Sequence, residues 1–385
     1  MIEVPGARGS QSSLREANSA SLVEAVRHYG QVTQVELAAL TGLSQATVSN
    51  LVKNLQAAGI VQTSATVRSG RRAQAVSLVR SSDLSVGVHI GRRRMEVLIA
   101  DASLSVTAQQ RFPLPVEHRY DTTLDRVAML LAELTDQVGA SLNEVGTVGL
   151  AIPGGPGGLD ALTGWDQIDP AEVLGKRLGR GVVLVREAEA VAVAEARFGA
   201  LRGVGSALVV RASSVTEAAL VIDGRLAQSV GGWAGAMGHM VADPNGRICR
   251  CGARGCLNTV VSQEALADLV RVSHGPLSLS AIVQRANDGD LGCRQVVAHA
   301  ATEVGARIAD AATLLAPQRV CLSGPLTAGG LFLEAVEQVL RTRPLVPVDC
   351  LIHGEVADAE VRGALAVAGD QSGPWVSRRD EQDGQ

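Results

Sequence analysis

GAMGHMVADPNGRICRCGARGCLNTVVS, residues 235–262, holds one histidine and three of the six cysteines in the chain. The spacing is His239, then Cys249, Cys251 and Cys256. Gly252 and Gly255 let the chain reverse sharply around the thiols, and His239 can supply a fourth ligand after a loop closes. Three thiolates and one imidazole make a closed tetrahedral zinc set. That is the pattern of a structural site, because a catalytic zinc keeps one position open for water. Cys293, Cys321 and Cys350 stand alone in apolar surroundings and read as small core residues.

Composition supports this reading. The chain has 385 residues, 46% hydrophobic and 19% charged, enough for two or three globular domains. Aromatic residues are only 2%, so Ala and Val must do most of the apolar work. No stretch reaches the roughly 18 continuous apolar residues of a membrane span, and the N-terminus lacks a signal-peptide core. A cytoplasmic location is therefore expected, with no membrane partner. Thiols stay reduced there, so clustered cysteines favour metal over disulfide.

Outward from the cysteine stretch, the pattern is twofold. Leu84–Ile90, Arg94–Ala100 and Thr107–Phe112 read as three strands with short turns, followed by a helix over Asp121–Val138 and a strand over Val145–Ala151. A glycine-rich loop over Pro153–Gly158, a strand over Val182–Val185 and a helix over Ala188–Phe198 come next. Three strands then recur at Ala207–Arg211, Glu217–Ile222 and Arg225–Val230, with Ile99–Leu104 echoed by Val221–Leu226. Helices dominate from Gln263 to Leu314, before a strand over Arg319–Ser323. Two related α/β halves with a cleft between them are expected.

The N-terminal part differs in charge. Residues 1–80 carry eight Lys/Arg against four acids, a net +4, while the whole chain is −4 and the rest therefore −8. A basic module on an acidic body points to an anionic partner for the module. Asn18–Tyr29 reads as a helix, Thr33–Glu36 as a capping box opening a second, and Ser44 as the cap of Gln45–Ala58. Leu37, Leu40, Leu43, Val48 and Leu51 form the apolar seam. Strands at Ile60–Thr63 and Ala75–Val79 flank a basic hairpin tip. This is a winged helix-turn-helix. Ser44, Gln45, Ala46, Thr47, Ser49, Asn50 and Lys53 are left to meet a major groove, and Arg68, Arg71 and Arg72 to reach backbone or minor groove.

With Gly235-x-x-Gly238-His239 ahead of Cys249-x-Cys251-Gly252-x-x-Gly255-Cys256-Leu257, the sequence from about residue 18 to 368 resembles the ROK family of repressors, open reading frames and sugar kinases. The resemblance implies an actin- and hexokinase-like fold of two lobes, with the zinc site in the second. It implies a double-stranded, palindromic DNA operator bound as a homodimer or homotetramer. The expected division is a disordered 1–16, a winged helix-turn-helix over 17–80, a ROK domain over 81–369 and a disordered tail over 370–385.

The kinase motifs of the family depart from its pattern. His89-Ile-Gly-Arg-Arg93 stands where the resemblance implies Asp-x-Gly-Gly-Thr, so a carboxylate is lost and two cations crowd the phosphate loop. Arg211–Glu217 lacks the glycines of the second phosphate loop, and Arg186-Glu-Ala-Glu189 replaces Asn-Asp-Ala-Asn. Glu187 holds the place of the catalytic aspartate, one methylene longer. Ala236 replaces the glutamate of Glu-x-Gly-His, and Asn258 the one after Gly-Cys-Leu. Arg186, Glu187, His239 and Asn258 are what remains of the sugar pocket. The expectation is a catalytically inactive pseudokinase acting as a regulator. The cleft either takes a small-molecule effector, a sugar or a non-sugar metabolite, with Arg186, Arg92, Arg93 or Arg211 on hand for an anionic one, or is vestigial, with the body serving only dimerisation. A sugar kinase with a DNA-binding head and a ligand-independent regulator are the alternatives.

Overall fold

Thr33 starts the first well-defined helix by the expected reciprocal cap. Its hydroxyl accepts from the Glu36 amide at 3.3 Å, and its own amide donates to the Glu36 carboxylate at 2.8 Å. The computed structural model describes residues 18–19, 21–26, 29–68, 71–78, 84–101, 104–115, 117–154, 164–227, 234–343 and 347–371. In the N-terminal part, α1 is helical at 18–19, 21–26 and 29. It is followed by β1 (Val32–Thr33), α2 (Gln34–Thr41), α3 (Gln45–Ala57), β2 (Val61–Arg68) and β3 (Arg71–Leu78). Gly42, at φ 70°, ends α2, and Ser44 caps α3 by accepting from the Thr47 amide at 3.1 Å. Leu22, Val26, Leu37, Val48, Leu51, Val52 and Leu55 close a small core under both helices.

Three details differ from the sequence reading. β1 was not expected: two residues, paired to Val76 and Ala75 of β3, complete a sheet of order β1-β3-β2. The hairpin is longer than expected, in register from Val61–Leu78 to Arg68–Arg71. Leu40 leaves the expected seam and is 41% exposed. The side chains of Arg68, Arg71 and Arg72 lie outside the described residues.

The body contains two five-stranded sheets of one topology. The first is built from β4 (Leu84–Ile90), β5 (Arg94–Ala100), β6 (Val106–Pro113), β7 (Val145–Ile152) and β8 (Val182–Arg186), in the order β6-β5-β4-β7-β8. It also carries α4 (Tyr120–Gln137) and α5 (Pro170–Leu178), and leads into α6 (Glu187–Phe198). The second has β9 (Ala207–Ala212), β10 (Thr216–Ile222), β11 (Arg225–Leu226), β12 (Arg319–Ser323) and β13 (Leu351–His353), in the order β11-β10-β9-β12-β13. Its helices are α7 (Asn258–Val261), α8 (Gln263–His274), α9 (Leu279–Asn287), α10 (Leu291–Leu315) and α11 (Leu331–Arg341), and α12 (Ala359–Gln371) follows β13 back onto the first sheet. In each sheet three antiparallel strands are followed by two parallel ones. The internal echo in sequence is thus a repeat in topology.

α4 and α5 cover the outer face of the first sheet, and α8 to α11 the outer face of the second. Between the sheets lie α6 and α12. α6 packs Val191 and Ala194 with Val209 and Ala219, and α12 packs Val361 and Leu365 with Leu98 and Ala100. The spacing there is set by missing side chains. A Cβ added at Gly149 would lie 1.9 Å from the Ala364 carbonyl oxygen, and one at Gly363 would lie 1.8 Å from that of Ala190.

α12 also corrects the expected tail. It runs to Gln371, and Asp370 pairs at 2.6 Å with Arg197, a buried guanidinium that would otherwise be left uncompensated. The segments 1–16 and 372–385, and residues 155–158 of the expected glycine-rich loop, lie outside the described residues. No described helix is long and apolar enough to cross a membrane.

Gly363→Ala should force α6 and α12 apart. A loss of at least about 1–3 kcal/mol, typical of overpacking, is expected in chemical unfolding. An unchanged midpoint would show that the seam can relax.

Candidate functional site

The face of α3 that does not enter the core is polar. Ser44, Gln45, Ala46, Asn50 and Lys53 are exposed and Thr47 and Ser49 are half-buried, while Val48, Leu51, Val52 and Leu55 are buried beneath them. Ser44 and Thr47 are partly occupied by capping, with their hydroxyls 2.8 Å apart. Gln45, Asn50 and Lys53 project amide and ammonium groups from one helix. Amides of this type read base edges, and ammonium groups meet phosphate.

In the second lobe, His239, Cys249, Cys251 and Cys256 come together as expected. Their ligand atoms all lie within 4.8 Å of one another. His239 Nδ1 is 3.6 Å from Cys249 Sγ, and Cys251 Sγ is 3.5 Å from Cys256 Sγ. Tetrahedral zinc with bonds of about 2.0–2.3 Å sets donors about 3.5–3.8 Å apart, so the set fits the ion in donor type and spacing. Gly255 is needed for the loop, because an added Cβ would lie 1.6 Å from the Asp243 carbonyl oxygen.

Arg186, His239 and Asn258 each have protein partners. The Arg186 amide and Nε each donate to Glu189 at 3.0 Å, and the guanidinium also donates to the Ala234 carbonyl at 3.1 Å. Asn258 turns its side-chain oxygen to the Thr216 amide at 2.8 Å. His239 belongs to the thiol cluster. Arg93 is exposed, and Arg92 joins Arg247, Asn258 and Asp268 around a cavity of about 240 Å³.

Glu187 has a different setting. One carboxylate oxygen lies 2.7 Å from His89 Nε2, and the other 2.8 Å from an Arg211 guanidinium nitrogen. Arg211 reaches on to Glu360 at 2.8 Å. All four side chains are buried. Burial alone would raise the Glu187 carboxyl, but Arg211 and His89 outweigh it and the net shift is downward. Glu360 is likewise held at about 2, burial being overcome by Arg211 and His89. Arg211 is raised, because Glu187 and Glu360 outweigh its desolvation. Sequence reasoning noted His89 as a departure from a motif and Arg211 as that and as a cation for an effector, whereas Arg211 is spent on two buried carboxylates; it missed Glu360, which is 149 positions from Arg211 and carries no local signal.

Comparison with known proteins follows the same lines. Residues 85–371 match the ROK family, and residues 17–72 the MarR family. The DNA-binding transcriptional dual regulator NagC of Escherichia coli is 26% identical over 360 residues, which is 88% of this chain and 87% of that protein. Among solved structures, a ROK family transcriptional regulator, a homologue of the E. coli Mlc protein, aligns with a TM-score of 0.70 at 21% identity, over 93% of this chain and 96% of its own. A ROK family glucokinase from Streptomyces griseus, solved with glucose and AMPPNP, aligns at 0.63 and 22% identity, over 74% of this chain and 99% of its own. These two likenesses show the shared fold.

One more carboxyl faces the buried network. Glu217 accepts from the Gly154 amide at 3.3 Å with one oxygen, while the other is sealed from solvent without a hydrogen bond. Burial first, and then the Glu187 charge, push it up to about 8. A folded-state value above the ordinary 4.5 means stability that is full below 4.5 and lost as pH rises through about 8. Glu217→Gln, which cannot ionise, should therefore match the wild type in Tm near pH 4.5 and gain on it progressively toward pH 9. A difference independent of pH would show that Glu217 is already charged.

Proposed function

The chain belongs to the ROK family, and from that premise we propose that it is a sequence-specific DNA-binding transcriptional regulator without kinase activity. One observation carries the reading: the outward face of α3 offers Gln45, Asn50 and Lys53 above a buried hydrophobic base. A cytoplasmic homodimer or dimer of dimers would set two such helices in successive major grooves of a palindromic operator. The proposed division is a head over 17–80 and a body over 81–369.

The absence of catalysis rests on Glu187. A general base must reach the hydroxyl proton it removes. Both Glu187 oxygens are engaged by His89 and Arg211, and its proton affinity is lowered, so it is a poor acceptor. Arg92 and Arg93 stand where a phosphate loop needs small residues. The room for a small-molecule effector is the cavity beside Arg92 and Asn258.

Zinc is the ion proposed for His239, Cys249, Cys251 and Cys256. Bound there it supplies crosslinking of a loop with little core of its own.

Genome-wide footprinting would identify the operator, against which variants can be measured. Asn50→Ala or Gln45→Ala should relax base preference by about 1–3 kcal/mol per contact. The double change Arg71→Ala and Arg72→Ala should weaken all sequences alike and flatten the salt dependence. Retained preference in the α3 variants, or ADP release with a panel of hexoses, would count against the proposal. Chelation or Cys251→Ser should lower Tm, and a metal-independent Tm would remove zinc from the account.

A further inference from the structure

α8 ends in Ser273 and His274, and α10 begins with Asp290 as its cap and Cys293 in its first turn. The imidazole is held at both ring nitrogens. Ser273 Oγ lies 3.2 Å from the Val270 carbonyl oxygen and 2.7 Å from His274 Nδ1, and its one proton can go to either. Nε2 stands 2.9 Å from a carboxylate oxygen of Asp290. The other Asp290 oxygen is used in capping, where it accepts from the Cys293 amide at 2.8 Å.

Protons on Nε2 and on the Cys293 thiol can serve Asp290, and the same three ligand atoms can instead share one cation. The Cys293 thiol converges on the same point, and the ligand atoms of His274, Asp290 and Cys293 all lie within 4.8 Å of one another. Among the described residues, only this group and the four-ligand cluster at His239 bring such donors together. From this we propose that His274 Nε2, Asp290 and Cys293 Sγ form a second metal site, suited to zinc.

The chemistry of the donors selects the ion. One imidazole, one carboxylate and one thiolate are a mixed nitrogen, oxygen and sulfur set, which suits zinc and not magnesium or calcium. Ser273 orients the ring from behind, as partners of metal-bound histidines do. Cys293 is buried, whereas the side chains of His274 and Asp290 are 15% and 31% exposed. A fourth position therefore opens toward solvent for water. The site joins α8 to α10 across α9, on the outer layer of the second sheet. It is independent of DNA binding and shares no ligand with the first cluster.

The test is a zinc count on the full-length protein, saturated with zinc, desalted and analysed by mass spectrometry. The wild type should retain about two ions per chain, one in each cluster. His274→Gln, at a partly exposed position, should retain about one, with circular dichroism unchanged. Cys293→Ser should do the same, and after cobalt substitution it should lose part of the thiolate-to-cobalt absorption. A wild-type count of one that neither variant changes would overturn the proposal and leave a hydrogen-bonded His274–Asp290 pair. A count of zero would overturn it together with the first cluster.

Discussion

α6 and α12 pass one another and the first sheet at distances that leave no room for side chains at Gly87, Gly149 and Gly363. This close approach holds the two halves in one geometry. It also explains the composition. A chain with 2% aromatic residues and 42 glycines cannot fill wide gaps, so its central layers draw together over Ala, Gly and Val. Helix α12 comes last in the described chain and packs in the middle, so the body is complete only when its C-terminal helix is in place.

The same approach brings the first turns of the two helices together. Glu187 opens α6 and Glu360 lies in the opening turn of α12, and Arg211 of β9 reaches both. Carboxylates at helix N-termini are favoured by the aligned peptide dipoles. Two of them so near each other require a cation, and Arg211 provides it. His89, from the first sheet, completes the set. A buried network of this kind adds little stability over apolar packing, but losing one member leaves an uncompensated charge. Glu187 is thereby taken into the interior electrostatics of the fold. Helix α3 lies outside this arrangement, with a separate core of its own.

Much of this was legible in the sequence where the signal is local. The Thr33–Glu36 box, the Ser44 cap and the glycine after α2 each act within a few residues, and each appears as read. The strands of both halves, β13 excepted, were read as short runs between turns. The cysteine stretch was legible because its glycines and thiols lie within one loop. What failed was non-local. β1 is two residues long and exists only through β3. Leu40 follows the periodicity of a seam, yet α2 turns it outward. Asp370 sits among polar residues that read as a tail, and only the buried Arg197 accounts for its order.

By itself the sequence determined the helix-turn-helix with its polar outer face, the doubled α/β pattern and the four-ligand thiol cluster. Each depends on periodicity, capping or spacing within one segment, which a linear reading can measure. Tertiary structure alone decided the partners of Glu187. His89, Arg211 and Glu360, from separate strands and a late helix, close around Glu187. Opposite charges buried in a low-dielectric interior must find one another, and chain order does not record which ones meet.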